Sequence, residues 1–144
     1  MTTATERVAR LLRQFTTADV MHPDVICCPH GASLLTVARM MATYRVHAIV
    51  VLADESDGLA NGAIRGVIAD TDLLQAALAP DFDLETARSL AATAPLTIAG
   101  DEPLEGAVQL MVENEVTHLI VVERDSRRPI GVVSTLDVAR ALAG

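Results

Sequence analysis

The chain has no tryptophan and no lysine, and only one tyrosine, two phenylalanines and two cysteines among its 144 residues. With 51% of the sequence apolar but almost none of it aromatic, the core has to be built from Ala, Val, Leu, Ile and Met. That composition suits tightly packed helices on sheets better than an aromatic cleft. All 11 basic residues are arginine, the net charge is −8 and the pI is near 4.8. An acidic balance of this kind argues against binding to nucleic-acid backbones, which requires a basic surface. The longest uninterrupted apolar run, Ala48 to Ala53, falls far short of the ~20 residues that span a bilayer. The N-terminus interleaves Glu6, Arg7, Arg10 and Arg13 and lacks the apolar stretch of a signal peptide. No membrane partner is expected, and the expected location is cytoplasmic. Cys27 and Cys28 are adjacent, which disfavours a mutual structural disulfide and fits a reducing compartment.

What is present is a repeat. Val46-His47-Ala48-Ile49-Val50-Val51 returns as Val116-Thr117-His118-Leu119-Ile120-Val121, a shift of 70 residues that also pairs Leu34 with Leu104 and Met41 with Met111. The shift shortens to 65 where Gly66-Val67-Ile68-Ala69-Asp70-Thr71-Asp72 meets Gly131-Val132-Val133-Ser134-Thr135-Leu136-Asp137. The difference fits inside one loop, since Asp54 to Ala63 is longer than Glu123 to Pro129. Two copies exclude a long solenoid. A chain of 144 residues is then expected to be one compact α/β body made of two pseudo-symmetric units.

Val8, Leu11, Leu12 and Phe15 fall at helical spacing, so residues 5–15 read as an amphipathic helix. Each copy follows the order β-α-β-β-α. The first strands are Val25 to Cys28 and Leu96 to Ala99, and helices follow at 33–44 and 103–114. Ser33 is the expected cap of the first, and Asp101 ahead of Pro103 is the start signal of the second. Buried strands come next, His47 to Leu52 and His118 to Val122, then Arg65 to Ile68 and Ile130 to Val133. Helices 70–79 and 135–143 close the copies. The division is an N-terminal helix at 1–16, a first repeat at 17–79, a linker at 80–85 and a second repeat at 86–144.

The Asp19-Val20-Met21-x-Pro23 lead-in, the repeat order and the Gly-h-h-Ser-x-x-Asp ending resemble a tandem pair of CBS (cystathionine beta-synthase) domains, over residues 17 to 143. The resemblance implies two copies packed sheet to sheet into a disc-like module, with adenine nucleotides or S-adenosylmethionine bound in clefts between them. The ending can also be read as chemistry. A vicinal diol, as on ribose, is best held by one carboxylate accepting two hydrogen bonds, and a helix N-terminus with a hydroxyl beside it offers donors to a phosphate. By resemblance, Asp137 takes the ribose hydroxyls and Ser134 the phosphate. The phosphate contacts from the other copy would come from His47, so that one site combines Ser134, Asp137 and His47. The other combines Thr71, Asp72 and His118, without a hydroxyl at Ala69. Arg45, Arg65, Arg127 and Arg128 are near enough in sequence to contribute.

A competing explanation stays open. Ser-x-x-Asp also matches a capping box, with Ser134 capping the helix and Asp137 reaching back. Against it, Asp72 recurs behind Ala69, which cannot cap. Asp70 is then the expected cap of the first copy's helix, with Asp72 free for another role. Other candidates are weaker. His22, Cys27, Cys28 and His30 could suggest a metal, but side chains alternate along a strand and no Cys-x-x-Cys spacing exists. Met40, Met41 and Met111 read as core filler. Asp54, Glu55 and Asp57 read as a solvated loop without calcium-site spacing. No nucleophile, base and orienting acid can be assembled, so the chain is not expected to be an enzyme, and no cofactor or metal is expected beyond a bound adenine nucleotide. The favoured expectation is a stand-alone regulatory module, a homodimer that binds an adenosine-containing ligand and signals to an effector protein. The alternative is a ligand-free dimerisation scaffold.

Overall fold

The computed structural model describes residues 3–23, 25–54, 63–91 and 95–144. Where the length alone suggested one compact body, the contacts resolve two compact units, Val25–Pro95 and a composite of Met1–Asp24 with Leu96–Gly144. They are called here the central and the composite unit.

The central unit runs β1 (Cys27–Pro29), α3 (Leu34–Tyr44), β2 (Ala48–Leu52), β3 (Ile64–Ala69), α4 (Asp70–Ala77), a 3-10 turn (Phe82–Leu84) and α5 (Ala87–Leu90). The composite unit opens with α1 (Ala4–Gln14) and α2 (Thr17–Val20). It continues with β4 (Thr97–Ala99), α6 (Leu104–Asn114), β5 (His118–Val122), β6 (Pro129–Ser134) and α7 (Thr135–Ala143). Each unit holds one three-stranded sheet, β1-β2-β3 or β4-β5-β6, in which the first pair is parallel and the second antiparallel. The registers correspond, Cys28 opposite Val51 and Val50 opposite Val67 in one, Ile98 opposite Val121 and Ile120 opposite Val132 in the other. Even the irregularity recurs, between Val51 and Leu52 and between Val121 and Val122.

The cores are aliphatic, as the composition required. Val37, Met41, Ile49, Val51 and Ile68 pack with Cys28 in the central unit, with Met40 packed against them at the edge. Leu104, Met111, Leu119, Val121 and Val133 do the same in the composite unit. Cys28 is buried and Cys27 only half-buried, so the adjacent thiols face different surroundings as strand alternation predicts. Both thiols are free. Burial pushes both pKa values up, Cys28 to about 11, so neither is a thiolate at neutral pH.

Three short elements escaped the periodicity reading: α2, the 3-10 turn and α5, each too brief for a 3.6-residue pattern to show. Two of them do structural work of the same kind. The Thr17 backbone N–H and its hydroxyl both donate to the Glu102 carbonyl, at 2.8 and 2.9 Å, and the Ala18 N–H donates to the Gly100 carbonyl at 2.9 Å. In the central unit the Ala87 and Arg88 N–H groups reach the Ala32 and His30 carbonyls, each at 2.8 Å. The segment ahead of the first copy is thereby fastened to the strand-to-helix turn of the second. The segment ahead of the second copy is fastened to that of the first.

Two of the expected helix starts differ. Ser33 caps α3 as expected, accepting from the Thr36 N–H at 3.1 Å. Asp101 does not cap α6. Its carboxylate accepts from both Arg124 Nε (2.9 Å to each oxygen) and Nη2, and this pairing holds its pKa below the usual carboxylate range. Pro103 occupies the cap position. Nor does Asp70 cap α4. The cap is Ala69, and Asp72 is not free, since its Oδ2 accepts from the Ala69 N–H at 2.8 Å. The loop containing Glu55 and Asp57 lies outside the described residues.

Candidate functional site

In the composite unit a cavity of about 360 Å³ is lined by Phe15, Val20, Met21, His22, Asp137, Arg140 and Ala141. That volume lies at the lower end of the range for small-molecule sites, and a mainly apolar wall with a few convergent polar groups is their usual make-up. Phe15, Val20 and Met21 supply the apolar wall and are themselves packed against the aliphatic core.

The polar floor is Asp137, on the first turn of α7 and only 4% exposed. Ser134 and Asp137 form a complete capping box. Asp137 Oδ2 accepts from the Ser134 N–H at 2.8 Å and from its hydroxyl at 2.9 Å, while the Asp137 N–H donates to Ser134 Oγ at 3.3 Å. The other carboxylate oxygen, Oδ1, lies 2.8 Å from His22 Nε2. Burying a carboxylate is expensive unless it is hydrogen-bonded or paired, and here both oxygens are engaged.

His22 is delivered by backbone pairing. Its N–H and carbonyl exchange hydrogen bonds with Val132 of β6, both at 2.9 Å. The approach is so close that position 131 must be glycine, because a Cβ there would sit 2.7 Å from the His22 carbonyl oxygen and collide with Met21 Sδ.

The remaining expected site residues divide between the units. His118 sits in the composite unit, opposite Ser134 in the β5–β6 ladder, with its Nδ1 2.8 Å from the Thr117 hydroxyl. In the central unit His47 precedes β2, and its Nδ1 lies 2.9 Å from Asp70 Oδ2. That hydrogen bond lowers the Asp70 pKa, although both side chains are largely exposed. Thr71 is exposed and Asp72 half-buried on the first turn of α4. Each histidine thus has a partner within its own copy. The Ser134–Asp137 box has its counterpart at Ala69–Asp72 with only the backbone N–H bond kept, as the absence of a hydroxyl at Ala69 requires.

Sequence reasoning noticed His22 only as a weak metal candidate, named Phe15 only as a helix-face residue and Val20 and Met21 only as part of the lead-in, and did not single out Arg140 or Ala141. The available signal was the Asp19-Val20-Met21-His22-Pro23 lead-in itself, whose His22 precedes a proline and is therefore biased to extended backbone. Its docking on β6, more than 100 residues away, is non-local and carries no periodicity. A second cavity of about 320 Å³, in the central unit, is lined by Cys27, Cys28, Pro29, His30, Leu52, Ala53 and Asp54, with the His30 imidazole against the Asp54 carboxylate. Among the described residues no group of three or more His, Cys, Asp or Glu side chains could hold a metal.

Comparison with known proteins agrees with this architecture. The chain is similar to a CBS domain protein from Pyrobaculum aerophilum complexed with AMP, 24% identical over 90% of this chain and 98% of that one, with a TM-score of 0.74. It is also similar to a CBS domain pair in complex with 5′-methylthioadenosine and S-adenosyl-L-methionine, 21% identical over 90% and 96% with a TM-score of 0.73. A third match is the ATP complex of the CBS domain of a bacterial CNNM/CorC family Mg2+ transporter, 18% identical over 96% and 94% with a TM-score of 0.79. At these identities the likeness establishes the fold. A curated relative, a homoserine O-acetyltransferase from Methanohalobium evestigatum, is 24% identical over 87% of this chain, which spans about a quarter of that relative's length. The CBS domain model matches residues 18–79 and again 87–144, so the chain belongs to the CBS domain family and carries two copies of the domain.

Proposed function

We propose that the chain is a non-catalytic regulatory module that binds an adenosine-containing ligand, AMP, ADP, ATP or S-adenosylmethionine, and passes that signal to an effector protein. The observation that carries this reading is Asp137, a carboxylate 4% exposed on the floor of a cavity with apolar walls. A buried acceptor of this kind suits a vicinal diol, and the apolar wall suits a purine face. Complexes of similar CBS proteins with AMP, with ATP and with S-adenosyl-L-methionine support the ligand class. In this proposal Ser134 completes the main site with Asp137, and Thr71 and Asp72 carry the lesser one. Among the described residues no helix is long and apolar enough to cross a membrane, and a cytoplasmic location is part of the proposal.

Calorimetry with the four ligands tests it. Asp137→Ala should weaken binding about 10- to 150-fold, the equivalent of about 1.5–3 kcal/mol for charge-assisted hydrogen bonds. Asp72→Ala should leave the main site nearly intact. Binding lost in Asp72→Ala and kept in Asp137→Ala would reverse the ranking of the two sites.

A second reading, a ligand-free dimerisation scaffold, draws on the exposed apolar side chains Leu35 and Tyr44 of α3 and Val112 of α6, at 51%, 56% and 72%. The regulatory reading also includes a homodimer, the commonest closed assembly. Light scattering at micromolar concentration should give twice the chain mass, and a monomer there would remove the dimer from both readings. A dimer without binding of any of the four ligands would leave the scaffold.

A further inference from the structure

An ionised carboxylate offers about four lone-pair directions. Asp137 has three in use: two on Oδ2, taken by the Ser134 N–H and hydroxyl, and one on Oδ1, taken by His22 Nε2. A vicinal diol brings two O–H donors, so one direction too few remains while the imidazole is in place. The Ser134 bonds cap the start of α7, and giving them up costs helix stability. The imidazole can leave. Its side chain is 60% exposed against 3% for Asp137, and its backbone is tied to Val132 independently of the ring.

We propose that His22 is a built-in competitor for Asp137: a ligand carrying a vicinal diol binds by displacing the imidazole from Oδ1. The proposal rests on the reading of Asp137 as the diol acceptor.

The test is calorimetry on the full chain with adenosine, a diol without phosphate. His22→Ala should bind about 2- to 10-fold more tightly than wild type, the effect of removing one competing hydrogen bond. In the unliganded chain, Asp137→Asn at constant pH should move the His22 Nε2 resonance. An unmoved resonance would overturn the proposal by showing that the pair does not form. Equal affinity in wild type and His22→Ala would overturn it while leaving the diol reading intact. Weaker binding by His22→Ala would make the imidazole a ligand contact, which also overturns it. No binding of adenosine or AMP by either protein would defeat the diol reading itself, and the competitor with it.

Discussion

At the scale of single residues, the candidate site depends on a glycine that touches no ligand. Gly131 lets the Met21–His22 segment lie against β6, and with it the apolar wall and the imidazole at Asp137. A methyl group at this position meets the His22 carbonyl at 2.7 Å, and backbone cannot move aside as a flexible side chain can. Gly131→Ala should therefore cost about 1–3 kcal/mol, the usual penalty of overpacking, and should also weaken adenosine binding, because the segment that must shift carries the cavity wall. Thermal melts and calorimetry check the two effects. A stability loss with unchanged affinity would mean that the segment does not shape the site. The same scale shows what the sequence made legible. The pairing of Ser134 with Asp137 could be read directly, since a capping box is local in sequence. The capping role of Asp72 was hidden behind Ala69, although an aspartate at the third helical position reaches the cap N–H whatever the cap side chain is.

At the scale of elements, α3 and α6 end in the same strained way. Arg45 and Glu115 lie 70 residues apart and both adopt the left-handed conformation, at φ 55° and 54°. In each case the next N–H turns back to the helix, Val46 to the Met41 carbonyl and Val116 to the Met111 carbonyl, both at 3.1 Å. This is the position where glycine normally closes a helix. The left-handed conformation costs an L-residue about 1–2 kcal/mol, and glycine's extra backbone entropy about 0.5–1 kcal/mol, so the substitution wins by a small margin. Glu115→Gly and Arg45→Gly should each stabilise by about 0.5–1 kcal/mol, or raise Tm by roughly 1–4 °C in a chain of this size. A lower Tm in either variant would mean that the replaced side chain makes a compensating contact. Element order was readable because each long helix and buried strand has its own periodicity and because every feature occurs twice. The one-turn helices α2 and α5 were not readable, since four residues hold barely one turn and their purpose is a hydrogen bond to a distant turn.

At the scale of the whole molecule, the compact units cut across the repeats. The core of the composite unit takes Leu12, Phe15, Val20 and Met21 from the N-terminal segment, and buried Thr17 secures that segment to the Glu102 carbonyl. Sequence repeats report where homologous positions recur, whereas packing reports which segment covers an apolar face, and only the second decides what folds alone. The central unit is continuous in the chain, from Val25 to Pro95, and contains its own α5, whose Ala87 and neighbouring Ala91 complete its core. The fragment 25–95 should therefore melt cooperatively by circular dichroism. The fragment 96–144 should not, because at about 50 residues it is near the lower limit for independent folding and it lacks the side chains that cover its helices. Adding a peptide of residues 1–24 should restore a cooperative transition to 96–144 at a Tm that rises with peptide concentration, since a partner bound only by the folded state stabilises by mass action. The fragment 86–144, which follows the repeat boundary instead, should remain as unstructured as 96–144. A cooperative melt of 86–144 without the peptide would show that the repeat, and not the composite unit, is what folds.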